Sequence, residues 1–188
     1  MCSRNAHKLE ELRAALPQWE LELLDAHEFP PEDGATYYDN ALGKARYGRS
    51  VGPADAWMLG EDSGIEVEAL GGRPGIESAR WAHDGVAALL EALRGVEKRA
   101  ARYVCELVAL APDGRELRGT GILDGRVAES PRGREGFGYD PIFVPDGEER
   151  TVAELGNAWK RRNSHRARAA QALVGEPPVE LGAEDDHV

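Results

Sequence analysis

Gly60-Glu61-Asp62-Ser63-Gly64-Ile65-Glu66-Val67-Glu68-Ala69-Leu70 sets two adjacent carboxylates and a hydroxyl between glycines, then runs into an alternating apolar pattern. Ala56-Trp57-Met58-Leu59 before it reads as a short buried strand. Glu61 and Asp62 are therefore expected at a strand's carboxyl end, where open α/β sheets place ligands. The plainer reading of the same residues is an acidic turn between two strands.

Working outward from that stretch, the upstream side reads as two capped helices. Leu9, Leu12, Ala15 and Leu16 recur at helical spacing until Pro17, and Ser3 or Asn5 can cap the start. A helix N-terminus offers free N–H groups and partial positive charge, so Ser3, Asn5 and Lys8 gathered there suit a phosphate. Leu21, Leu23 and Leu24 suggest a strand, followed by a loop over residues 28–35 containing Glu32. Thr36-Tyr37-Tyr38-Asp39 has the form of a capping box with aspartate in the glutamate position, and the helix it opens runs towards Gly52-Pro53. Asn40 and Lys44, four apart, share one face of it.

Downstream, residues 71–76 are too glycine-rich for regular structure, and they lack the spacing and Lys-Ser/Thr ending of a P-loop. Arg80 is expected to pair with an acidic neighbour. Asp84 caps a helix that turns Val86, Leu89, Leu90 and Leu93 inward. Residues 101–111 and 116–122, joined by Pro112-Asp113-Gly114, form a hairpin of scaffold strands with Cys105 as a small core residue. Gly133-Arg134-Glu135-Gly136-Phe137-Gly138-Tyr139-Asp140 lets backbone approach a ligand and offers Phe137 or Tyr139 for stacking a flat ring, ahead of a strand at 142–144. Residues 151–159 read as helical. Lys160-Arg161-Arg162-Asn163-Ser164-His165-Arg166 is then the one dense basic cluster, and residues 175–188 read as a frayed acidic tail.

With 188 residues, 41% hydrophobic and 30% charged, the chain is long enough for one domain with a sizeable core, expected over residues 1–174. Two cysteines are too few for a disulfide framework or a cysteine metal site and suggest a reducing, cytoplasmic setting. No apolar run reaches membrane length and no signal peptide opens the chain. A net charge of -11 argues against broad nucleic-acid or anionic-membrane binding, which need a basic face. A small anionic substrate fits if local cations, or a divalent metal on carboxylates, offset the repulsion.

Taken together, six ordered motifs resemble the inosine triphosphate pyrophosphatase family from Ser3 to about Val174. They are Ser3-Arg4-Asn5-Ala6-His7-Lys8; Glu32-Asp33-Gly34-Ala35-Thr36-Tyr37 with Asn40 and Lys44; Glu61-Asp62-Ser63-Gly64; Pro74-Gly75-Ile76 with Ser78-Ala79-Arg80; residues 136–143; and Ser164-His165-Arg166. The resemblance implies an α/β fold with an elongated, mixed, twisted sheet flanked by helices, and two lobes with a nucleotide cleft between them. It implies hydrolysis of ITP, dITP and XTP to the monophosphate and pyrophosphate, with Mg2+ as cofactor and a homodimer as the assembly. By resemblance Asp62 is the general base and a magnesium ligand, and Glu32 is the other metal-binding carboxylate. Residues 3–8 and Ser63 contact the nucleotide, and Lys44 a phosphate. Phe137, Gly138, Tyr139, Asp140 and Lys160 line the base and sugar pocket, and His165 and Arg166 touch the purine edge.

The chain departs from the family's pattern in three places. Only Met1 and Cys2 precede Ser3 where an apolar strand is usual, so the first helix is expected to be poorly anchored. Glu61 stands where aspartate is frequent, and Arg161 where a small polar residue often follows the lysine. Two rival readings are a pyrimidine or modified-nucleotide pyrophosphatase of the related type, and a nucleotide-binding module impaired by the missing strand.

Overall fold

The computed structural model describes residues 1–175; the acidic tail read from the sequence lies, apart from Gly175, outside the described residues. Four strands form an antiparallel sheet in the order β1 (Met58–Val67), β2 (Ala100–Leu110), β3 (Glu116–Val127) and β4 (Phe143–Pro145). The expected mixed sheet is thus antiparallel in its named strands. Among the described residues a parallel pairing pattern appears at the edge, where the Met1 ammonium donates to Glu22 O and Leu24 N–H donates to Met1 O, and Cys2 N–H donates to Leu59 O.

The opening stretch is neither a strand end nor a turn. β1 runs unbroken through it, with Glu61 opposite Leu107 and Asp62 opposite Glu106. Its glycines serve close approach, not chain reversal. A Cβ on Gly60 would lie 1.9 Å from Ala41 O, and one on Gly64 2.2 Å from Gly75 O. Adjacent strand residues face opposite sides of the sheet, so the two neighbouring carboxylates have separate surroundings.

The Asp62 face meets α2 (Tyr37–Val51), whose Ala41 and Ala45 lie over Gly60. Its start is the expected capping box, with Thr36 and Asp39 capping one another. The Glu61 face carries two apolar clusters. Leu59, Cys105 and Leu107 pack with Leu9 and Leu12 of α1 (Ala6–Ala15), with Leu16 just beyond its end, and with Ala169, Ala170 and Leu173 of α5 (His165–Leu173). Ile65, Val67 and Tyr103 pack with Leu89 of α3 (Gly85–Ala92), Ile142, Phe143 and Val152. Glu61 and Ser63 occupy the strand between those clusters, which places a polar band across an otherwise apolar face.

α1 is well anchored, contrary to the expectation drawn from the short N-terminus. Leu12 and Leu16 are fully buried, and Lys8 and Glu11 form ion pairs with Glu61, Lys160 and Arg166. Helix α5 seats equally closely on β3, because a Cβ on Gly121 would lie 1.9 Å from His165 O and 2.4 Å from Ala169 N. Gly121→Ala is therefore expected to cost about 1–3 kcal/mol, read as a lowered midpoint in urea; an unchanged midpoint would show that α5 is not held at this distance.

Candidate active site

α1 starts where Asn5 Oδ1 accepts the N–H groups of His7 and Lys8, and Ser3 Oγ accepts Asn5 N–H. This cap aims Lys8 along β1, where its Nζ lies 2.6 Å from Glu61 Oε2. Arg166, at the start of α5, approaches Glu61 from the other side: Nε is 3.2 Å and Nη2 3.0 Å from Oε1, while Nη2 also donates to Ser63 Oγ at 2.9 Å. Burial pushes the Glu61 carboxyl pKa up, but Lys8, Arg166 and Lys44 more than offset this and hold it well below the usual value of 4.5.

Glu11, which no sequence motif singled out, joins this network. Its carboxylate takes Lys160 at 2.5 Å and Arg166 at 2.5 Å, tying α1 to α4 (Val152–Asn163) and α5. Lys160 also lies 2.7 Å from Asp140 Oδ2, which in turn accepts Phe137 N–H at 2.8 Å. α4 breaks at Gly156, where φ is +85°, and Glu135 Oε2 then accepts Asn157 N–H at 2.8 Å, capping the half that carries Lys160. The glycine loop and the basic cluster are thereby one unit.

A cavity of about 560 Å³ opens beside this network, a size suited to a small organic ligand. Asn5, Lys8, Ser63, Phe137 to Asp140, Lys160, His165 and Arg166 line it, with Tyr103 and residues 82–86 also in its wall. His165 stacks on Tyr103, ring centroids 4.5 Å apart, and its Nδ1 is buried with no hydrogen-bond partner among the described residues. Burial, then the Arg166 and Lys160 charges, hold its pKa well below 6.5, so the ring is neutral. Tyr103 had read as scaffold; its hydroxyl also reaches Asp140 Oδ1 at 3.3 Å. Only its pairing partner across a long sequence separation reveals this.

Asp62 gathers a second group on the opposite face of β1. Asn40 Nδ2 donates to its Oδ2 at 3.0 Å, while Asn40 Oδ1 accepts Gly34 N–H. Lys44 Nζ lies 3.1 Å from Asp62 Oδ1, 2.5 Å from Glu32 Oε1 and 2.9 Å from Glu61 O. Arg80 clamps the same loop, with Nη1 on Glu32 Oε2 at 3.0 Å and Nη2 on Glu32 O at 2.9 Å, the acidic pairing expected of it. Burial raises the Asp62 carboxyl pKa, and Lys44 and Asn40 only partly counter it. Burial also lowers the Lys44 pKa, but Asp62, Glu61 and Glu32 raise it on balance, so the ammonium keeps its charge. Glu32, Asp62 and the Glu61 carbonyl converge on one cation, the Lys44 ammonium, and oxygens of this kind are what hard divalent ions take.

Ser63 and Gly64, which follow Asp62 on β1, line the cavity, so the Asp62 group lies next to it in the strand. The edge of β1 is covered at Leu59 by Cys2 and at Ile65 by Ser78 Oγ, which takes Ile65 N–H at 2.9 Å. Between those two points Lys44 Nζ donates to Glu61 O, and Asp62 is one residue from Ser63 in the cavity wall.

Five predicted substrate contacts lie apart from the cavity lining: Lys44, which belongs to the Asp62 group, Ser3, whose Oγ accepts Asn5 N–H, and Arg4, Ala6 and His7. Arg4 is exposed, with its guanidinium 4.6 Å over the Phe29 ring and donating to His27 O at 3.3 Å. Ala6 is simply the first residue of α1. His7 stacks on Phe137 from outside, centroids 5.4 Å apart, and lines a neighbouring groove with Glu10 and Arg161.

The Ham1 family model matches residues 1–176. The chain belongs to the Ham1 family. Among its Ham1 relatives, the dITP/XTP pyrophosphatase of Symbiobacterium thermophilum is 45% identical over 191 residues, covering 96% of this chain and 95% of that protein. That of Deinococcus deserti is 42% identical over 193 residues, covering 96% and 92%. The Ham1 protein of Staphylococcus aureus superposes with a TM-score of 0.78 at 31% identity, covering 89% of this chain and 91% of that one. The nucleoside-triphosphatase, or dITP/XTP pyrophosphatase, of Mycobacterium abscessus gives 0.71 at 40% identity, covering 93% and 96%.

Proposed function

We propose that this Ham1 protein hydrolyses the triphosphates of non-standard purines, ITP, dITP and XTP, to the monophosphate and pyrophosphate with Mg2+. The observation that carries the reading is a cavity of nucleoside size walled by Ser63 and Gly64 of β1, with a carboxylate pair bridged by a cation at the preceding residue, Asp62. The relatives named dITP/XTP pyrophosphatase support it.

The base and sugar occupy the cavity between Phe137 and the Tyr103–His165 stack, and the triphosphate passes Ser63 and Lys8 towards Asp62. Asp62 takes a proton from the water that attacks the α phosphorus; the bond from that phosphorus to the bridging oxygen breaks, and pyrophosphate departs. Mg2+ held by Glu32 and Asp62 would neutralise charge on the leaving pyrophosphate. Lys8 and the N-terminus of α1 hold phosphate oxygens.

Choice of base follows from unmet hydrogen bonds. Arg166 and Lys160 are already engaged by Glu11, Glu61 and Asp140, so their part is to shape the pocket and set its charge. The unpartnered His165 Nδ1, in the tautomer that carries hydrogen there, donates to the 6-oxygen of hypoxanthine or xanthine. Adenine presents an amino group at that place. One mismatched buried donor costs about 1–3 kcal/mol, a factor of about 5–150 in kcat/KM. Pyrophosphate release from a panel of ITP, XTP, dITP, ATP and pyrimidine triphosphates should show that preference; equal turnover of ATP and ITP would refute the base assignment.

A further inference from the structure

The two carboxylates proposed to hold the metal already have cationic and amide partners. Glu32 Oε1 and Asp62 Oδ1 both bind the Lys44 ammonium, at 2.5 and 3.1 Å, and Glu61 O completes three oxygens around that nitrogen at 2.9 Å. The other oxygens are in use too, Glu32 Oε2 by Arg80 and Asp62 Oδ2 by Asn40. A divalent ion seated between the carboxylates would occupy the volume and the lone pairs that Lys44 now holds.

Charge and coordination both oppose such an ion acting alone. Two carboxylates facing Lys44 and Arg80 are already neutral in sum, so an added divalent charge meets no unbalanced anion. Among the described residues there is no group of three or more His, Cys, Asp or Glu side chains placed to hold a metal. Magnesium demands six near-octahedral oxygens and commonly takes one or two carboxylates plus substrate phosphates and water. A triphosphate brings both the missing oxygens and an anion for the displaced ammonium.

We propose that Lys44 is the resident cation of this site, keeping free divalent ions off Glu32 and Asp62 until a triphosphate draws its ammonium onto phosphate oxygens. The inference rests on the function proposed above and adds an order to it: metal and nucleotide enter as one, and each raises the other's affinity. Free metal then cannot lock the carboxylates of the empty enzyme.

The test is Mn2+ binding followed by electron paramagnetic resonance, with magnesium absent. Nucleotide-free wild-type protein should bind Mn2+ at least tenfold more weakly than Lys44→Met, and Lys44→Met/Glu32→Gln should lose the gain. Wild-type protein that binds one Mn2+ as tightly as Lys44→Met, in a manner abolished by Glu32→Gln, would overturn the proposal. Should Lys44→Met not fold by circular dichroism, wild-type protein with and without an α,β-methylene ITP analogue decides: a tenfold rise in Mn2+ affinity supports the order, and no rise, with analogue binding shown by calorimetry, overturns it. Absence of pyrophosphate release from ITP would instead refute the substrate reading, since the nucleotide-free comparison does not depend on it.

Discussion

Asp62→Asn is expected to slow pyrophosphate release from ITP by about 10²–10⁴-fold while leaving the melting temperature unchanged or raised. The two halves of that result have one cause. Asp62 is 4% exposed, and burial raises its carboxyl pKa, so the ionised form is less favourable in the folded chain than in the unfolded one. Asparagine removes that cost along with the proton acceptor. Its cross-strand neighbour Glu106 provides the control. Glu106 is equally buried but bonds to Arg118 and Thr120, so Glu106→Gln should change turnover less than about threefold. Parallel loss in both variants would mean that charge in this part of the sheet, not proton transfer by Asp62, sets the rate. Steady-state release assays with scanning calorimetry separate these outcomes.

The parts of the molecule legible in the chain are those whose signals are local. Asn5, Thr36 and Asp84 each cap the helix expected after them, because a cap is a bond to a backbone N–H two or three residues away. The hairpin of β2 and β3 likewise follows from alternating residues around Asp113-Gly114, with Gly114 at φ +88°. What was misread is what depends on distant partners. Gly60 and Gly64 look like turn residues because glycine marks turns and close approaches alike. Only the positions of Ala41 and Gly75 distinguish the two, and they make the stretch a continuous strand. That continuity separates Glu61 from Asp62 by a whole sheet thickness, although they are neighbours in sequence. Glu11 was missed for the same reason: on α1 it is one polar residue among several, and its role rests on Arg166, 155 residues away. The strand suggested by Leu21 to Leu24 forms no named strand, yet its backbone still pairs with Met1.

Glu61→Ala should destabilise the fold by about 3–5 kcal/mol at neutral pH, the cost of leaving a buried charge without its partner. The Glu61 side chain is 1% exposed and Arg166 2%, and Lys8 lies against the same carboxylate. Arg166 would keep Glu11 and Ser63, but Lys8 would have no carboxylate within the polar band. Glu61→Gln retains the shape and should cost less. The pH dependence identifies the cause. The folded-state pKa of Glu61 is depressed, so its contribution is complete above about 4.5, the unfolded value, and disappears as pH falls through the lower folded value. In urea titrations the gap between wild type and Glu61→Gln should therefore be constant from pH 7 down to about 5 and close progressively below 4.5. A gap that stays constant into strong acid would mean that packing, not the ion pairs with Lys8 and Arg166, is what Glu61 contributes. If the gap closes as described, the same carboxylate that holds α1 and α5 together also sets where Lys8 stands at the edge of β1, so turnover at temperatures below unfolding should fall along with stability.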